Sequence, residues 1–219
     1  MRRYVQVLLA LALAVFATAP AVIFWAPYES TMGLVQKIFY FHVPGALLML
    51  ALAIFAGVMS AIFLFRKHAW ADWWARAAVE QTVLFGAMTL VSGPLWARKA
   101  WGVWWEWEPR LTSTLVMWVV FIAYLLLRRY GGPGSDKLAA GVALFGLVNA
   151  PFIYVSVNFW RTMHPKTTVL GSLVPPMAGP VWYCMAGYVL LSLVLFTLRV
   201  QIDEQRARVE ALYLAADEG

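Results

Sequence analysis

Apolar residues run through this chain in six blocks, at roughly residues 5–25, 44–65, 77–95, 111–127, 138–160 and 181–199, separated by short polar stretches. A hydrocarbon core about 30 Å thick needs about 20 apolar residues in a helix. The pattern predicts an all-α fold, a polytopic membrane bundle of six transmembrane helices forming a single integral membrane domain over residues 1–219. In the first block, Arg2 and Arg3 followed by an apolar stretch and Ala17-Thr18-Ala19 have the look of a cleavable signal peptide. The run continues through Ala21 to Trp25, and Pro20 is a poor mature N-terminus, so an uncleaved anchor is expected. The links are short, and no internal repeat interrupts them.

Composition narrows the class. The 219 residues are 63% hydrophobic and 13% charged, with a mean hydropathy of +0.72, whereas soluble domains are nearer half apolar and a quarter charged. Too few polar side chains remain to cover a soluble enzyme of this size. The single cysteine, Cys184, excludes an internal disulfide, a thiolate zinc site and an iron-sulfur cluster; it reads as a small packing residue. A net charge of +6 without a compact basic run argues for membrane orientation rather than nucleic acid. With the N-terminus in the cytoplasm, Arg2, Arg3, Arg66, Lys67, Arg76, Arg128, Arg129, Lys137, Arg199, Arg206 and Arg208 lie inside, against Lys37, Arg98, Lys99, Arg110, Arg161 and Lys166 outside. This bias places both termini in the cytoplasm. The tail after Arg199, which mixes Ile202, Val209 and Leu212 with charges, is expected to lie on or project from the inner surface.

Crossing parity then sorts the histidines. His42 and His164 fall in the first and third outer loops, and His68, one span from His42, faces the cytoplasm. Between the outer two lies a loop holding Trp96, Trp101, Trp104, Trp105 and Trp107, denser than an interfacial aromatic belt requires. Trp101, Trp104, Trp105 and Glu108 recur at helical spacing, so a short amphipathic helix presenting three indoles and a carboxylate is expected. Pro109 biases Glu108 away from helix and opens the fourth span, with Arg110 in its first turn. Each piece alone has a structural explanation: an interface histidine, a belt, a helix start. Together, an aromatic platform between two imidazoles suits a planar, apolar, metal-bearing ligand such as haem, and the outer cations could fix its propionates. A zinc site would need a third ligand from Glu29, Glu106 or Glu108.

The stretch Trp101-Gly102-Val103-Trp104-Trp105-Glu106-Trp107-Glu108-Pro109-Arg110-Leu111-Thr112 resembles the tryptophan-rich WWD signature of the haem-handling proteins of cytochrome c maturation. Gly93-Pro94-Leu95-Trp96-Ala97-Arg98 before it and Thr112-Ser113 fit as well. Within that superfamily the chain is most similar to the CcmC (haem exporter protein C) family, over nearly its whole length. The resemblance implies that Trp101, Gly102, Trp104, Trp105, Trp107 and Arg110, with Glu108 and Pro109 in the same stretch, form a haem-binding surface. It also implies that His42 and His164 are axial ligands to the iron of haem b. In that role the chain sits in the bacterial inner membrane and presents haem at the periplasmic face to the chaperone CcmE, alongside CcmA, CcmB and CcmD of an ABC-transporter complex. The chain has no phosphate-binding loop of the Walker type, so no catalysis of its own is expected and ATP falls to a partner. The family usually has Asp where this chain has Glu108. Two other readings compete: a CcsA-type cytochrome c synthase component, which shares the Trp motif but has more spans and histidines, and a small-substrate or proton permease using Glu80, Asn149 and Asn158.

Overall fold

A computed structural model of the chain describes residues 2–217. Each apolar block forms a helix: α1 Arg3–Trp25, α2 Phe39–Arg66, α3 Ala69–Ala100, α4 Pro109–Tyr130, α5 Ser135–Ser156 and α6 Pro175–Asp217. Short 3-10 turns at Leu34–Ile38 and Thr167–Ser172 lie in the first and third loops on the side of His42 and His164. Among the described residues the only β pairing is an isolated bridge between Glu29 and Gly33. The helices overrun the apolar blocks at most ends, because a helix continues through polar residues once its core face is packed. The exception is α5, which stops at Ser156 rather than 160. There Asn158 and Phe159 bond back to Val155 and Ser156 in i→i+3 fashion, tightening the last turn. Five of the six helices are long and apolar enough to cross a membrane; in α3, which has the length, Glu80, Gln81 and Thr82 dilute the apolar run.

The central helix is α2, packed against α3, α5 and α6, with α4 on α5 and α1 on α6. Its seam with α5 is built from small residues: Ala53, Ala56 and Gly57 face Ala139, Ala143 and Gly146, all buried. Without a hydrophobic drive between helices in lipid, such residues let backbones approach closely and gain dispersion. A Cβ on Gly57 would stand 2.6 Å from the Cβ of Leu147 and 3.1 Å from the carbonyl oxygen of Ala143, and backbone cannot rotate aside. Gly57→Ala is therefore expected to destabilise the bundle by about 1–3 kcal/mol, read as a lower thermal midpoint in detergent. Gly141→Ala, on the same helix pair with open space around it, is expected to leave the midpoint unchanged or raise it slightly.

Ion pairs fasten the opposite end of the bundle from the site. Arg128 of α4 makes a two-pronged pair with Asp72 of α3, at 2.9 and 2.7 Å. Arg199 of α6 binds Glu80 at 2.7 Å and Asp203 at 3.1 Å, and Arg76 reaches both acids at 3.5 Å. Glu80 thus serves helix packing. Asn149 also cross-links helices, its amide donating to the carbonyl of Ser113 on α4 at 3.0 Å, and Asn158 pairs with Thr167 across the third loop. The polar groups a permease path would need are committed to structure. Beyond Arg199, α6 runs on unbroken to Asp217, about 27 Å of further helix, so the tail is an arm continuous with the last span.

Candidate functional site

His42 stands in the first turn of α2, and His68 at the junction after that helix ends. The helix from His42 to Arg66 rises about 36 Å, which separates His68 from the site by the thickness of the bundle. His164, far away in sequence, lies beside His42: their ring centroids are 6.5 Å apart with the planes tilted by 43°. Both line one cleft that is partly open to the outside, together with Trp101, Trp104, Trp105, Glu108 and Arg110. Gly102, Trp107 and Pro109 are not in its wall. Trp107 is 77% exposed and packs edge-on against Trp105 at 5.8 Å.

Hydrogen bonds fix which nitrogen each imidazole offers. Ser92 Oγ gives its one proton to the carbonyl of Met88 at 2.7 Å, so at 2.9 Å from His42 Nδ1 it must accept. The carbonyl oxygen of Pro165, 2.9 Å from His164 Nδ1, can only accept. Each ring therefore carries its proton on Nδ1 and keeps the Nε2 lone pair free, the arrangement of metal-binding histidines whose other nitrogen is anchored. Enclosure, and then the Arg110 guanidinium, push the His164 imidazole down to about 3, so it is neutral at physiological pH. Close packing holds His42 in place: Trp96 meets it edge-on at 5.8 Å, and a Cβ on Gly93 would come within 3.3 Å of its Cε1.

The Trp-rich loop corrects one expectation. Residues 101–108 form no helix. Gly102 adopts a φ of +81°, a left-handed conformation that glycine tolerates and that ends α3, and Arg98 seals the break by donating to the Gly102 carbonyl at 2.6 Å. Glu108, extended at φ −96° and ψ 159° ahead of Pro109, leads directly into α4. The indoles converge through the fold instead: Trp101 stacks on Trp96 of α3 at 6.0 Å and 26°, and Trp104 and Trp105 reach the cleft from irregular backbone.

Glu108 is buried, and its carboxylate accepts from Thr162 Oγ1 at 2.7 Å and from the Met163 backbone N–H at 3.2 Å. Thr162 Oγ1 in turn accepts from the His164 N–H at 2.9 Å. The acid of the Trp motif thus latches the loop that carries His164; it makes no direct ion pair with Arg110, though its charge lies close enough to favour the Arg110 cation, and it does not stand free for a zinc ion. Among the described residues no three His, Cys, Asp or Glu side chains converge as a metal site. The cations also sort themselves. Lys37 donates to the carbonyls of Ile23, Phe24 and Ala26, capping α1, and Arg98 is spent on Gly102, which leaves Arg110 as the cation in the wall of the cleft.

Sequence reasoning missed Ser92 and Thr162 as partners of the histidines. Ser92 sits on α3, which packs beside α2, so its relation to His42 is tertiary, and Thr162 becomes meaningful only when the second and third loops meet.

The family described as CcmC, heme exporter protein C, matches residues 1–214. The heme exporter protein C of Paracoccus denitrificans is 33% identical over 196 residues, which cover 86% of this chain and 81% of that one. The protein of the same name from Escherichia coli K12 is 32% identical over 206 residues, 87% of this chain and 81% of that one. A putative cytochrome c biosynthesis ccmC-like mitochondrial protein of Marchantia polymorpha is 30% identical over 203 residues, 91% of this chain and 87% of that one. With the match running almost from end to end and the Trp motif and both site histidines inside it, the chain belongs to the CcmC, heme exporter protein C, family.

Proposed function

We propose that this chain handles haem for cytochrome c maturation, holding haem b between His42 and His164 at the periplasmic face of the bacterial inner membrane and presenting it to the chaperone CcmE. In this reading CcmB and CcmD accompany it in the membrane, CcmA hydrolyses the ATP, and both termini are cytoplasmic. Haem is cargo here, and the chain's own work is to bind it, orient it and keep water from its iron.

The observation that carries the reading is the geometry of the two imidazoles. A ligating nitrogen sits about 2 Å from a first-row metal ion and the ring centroid roughly 1.1 Å further out, so two imidazoles on opposite sides of one iron have centroids about 6.3 Å apart. The separation in this chain is 6.5 Å, with Nε2 free on both rings. The cleft around them is walled by indoles, which suits the faces and edges of a porphyrin. Membership of the CcmC family supports haem rather than another planar ligand.

The test is transfer in sided membranes. Haem bound to the chain in spheroplasts is expected to give a low-spin spectrum and to pass to purified CcmE added from outside, while a phosphatase fused after Lys166 is active on that same side. A fusion after Lys166 that reports the cytoplasm, or a chain that binds no haem, would overturn the reading.

A further inference from the structure

The arm in which α6 continues past Arg199 carries an apolar seam that its own chain leaves open. The base of the arm is fixed, with Arg199 bound to Glu80 and Asp203 to Arg76 of α3, and Gln201 donates to the Tyr4 hydroxyl of α1 at 3.3 Å. Past Asp203, the described residues make no side-chain hydrogen bond or ion pair with another element; the one such bond runs along the helix, from Arg208 to Glu204 at 2.6 Å. Apolar side chains nevertheless recur there. Leu198, Ile202, Val209 and Leu212, with Gln205 in the middle, follow one another at spacings of four, three, four and three, which is the spacing of a coiled-coil seam. The face is exposed, Val209 by 50% and Leu212 by 70%, and a shallow groove along it is lined by Leu198, Ile202, Val209 and Tyr213.

We infer that this seam is an interface between two copies of the chain, which pair their arms as a parallel two-stranded coiled coil. The core residues select this occupant. β-Branched Ile202 and Val209 fall at a positions and Leu198 and Leu212 at d, the combination that favours two strands, and Gln205 is a single polar core residue of the kind that fixes register. Two copies inserted the same way in one bilayer present their arms in parallel. In register, Gln201 then faces the other copy's Arg206 and Arg208 faces its Tyr213, so an amide oxygen and an aromatic ring meet the two guanidiniums and no like charges oppose. A lipid surface is a poorer occupant. No proline or glycine after Gly187 turns the helix down onto the bilayer, and the arm carries Asp203, Glu204, Glu210 and Asp217 against Arg206 and Arg208, the wrong balance for anionic headgroups. Because the arm extends a packed span, its helix needs no new nucleus, so even a short seam can pair. The inference does not depend on what the outer cleft holds.

Cysteines placed singly in the full-length chain test the seam in native membranes, under oxidation by copper phenanthroline. Val209→Cys and Leu212→Cys, on the seam, are expected to give a disulfide-linked dimer, and Ala207→Cys and Leu214→Cys, on the outer face of the coil, at least about tenfold less, because a disulfide needs its two Cα atoms within about 7 Å. Cys184 is buried, and wild-type chain sets the background. Equal yield at all four positions, as random collision gives, would overturn the interface. So would no dimer at any of them, the result for an arm that rests on lipid or stands alone. A covalent product of another size at the two seam positions would assign the groove to a different protein and overturn the pairing of copies. A charge on the seam supplies a second measurement: adding Val209→Lys to Leu212→Cys should lower the dimer yield at least about tenfold and leave the thermal midpoint unchanged, since Val209 lies beyond the packed base of the arm. An undiminished yield in that double variant would also overturn the interface.

Discussion

His42→Ala and His164→Ala are each expected to convert the bound haem from a six-coordinate, low-spin species to a high-spin one and to weaken its retention by about 100-fold or more. Removing an outer-shell partner of a metal ligand already costs 10–100-fold, and the ligand itself contributes more. The two sides are not equivalent in their surroundings. His42 sits in a helix, braced by Ser92, Trp96 and Gly93, so the space left by His42→Ala has a rigid wall and added imidazole should restore the low-spin spectrum efficiently. His164 hangs on a loop tied by Glu108 and Thr162, and rescue there should be weaker, because loss of the ring also loses its bond to the Pro165 carbonyl. His68 supplies the control. It stacks on Trp70 at 5.8 Å at the far end of α2, so His68→Ala should leave spectrum and retention unchanged. Normal low-spin haem in both His42→Ala and His164→Ala would overturn the ligand assignment.

These expectations show how unevenly the molecule is written along its sequence. The helices were legible because a bilayer demands long apolar runs, and parity alone put His42 and His164 on one side and His68 on the other. The meeting of the two rings within 6.5 Å was not legible, since it depends on how α2 packs against its neighbours and on a loop latch. The Trp motif misled in one respect. Its i, i+3, i+4 spacing matches a helical face, but Gly102 at positive φ and the pre-proline Glu108 break the backbone at both ends of a segment only eight residues long. Too short to pay helix nucleation, it takes its shape from Trp96, Arg98 and Thr162 instead. Lys37 shows the same limit: its position near His42 suggested an anion partner, whereas the open carbonyls at the end of α1 are nearer and claim all its donors.

The latch at Glu108 leads to the second large effect. Its carboxylate ties the second loop to the third by hydrogen bonds, through Thr162 Oγ1 at 2.7 Å and the Met163 N–H at 3.2 Å, and the Thr162 oxygen then receives the N–H of His164 itself. Glu108→Leu would leave the partly exposed Thr162 hydroxyl and Met163 N–H without their acceptor, at about 0.5–1.5 kcal/mol each where water can replace it, and the loop should swing away from α4. Haem retention is expected to fall about 10–100-fold, with a growing high-spin fraction as the His164 side loosens and the His42 side holds. Glu108→Gln keeps one neutral acceptor oxygen and should fall between Leu and wild type. Glu108→Asp is the informative case, because a side chain shorter by one methylene reaches one of the two donors unless the loops draw closer. It should retain most of the haem while trypsin cuts faster at Arg161 and Lys166, which flank the latched segment. If Glu108→Leu kept wild-type haem affinity, low-spin spectrum and resistance to trypsin, the carboxylate would not be positioning His164. Loss of transfer to CcmE in that same variant would then place Glu108 at the partner surface instead.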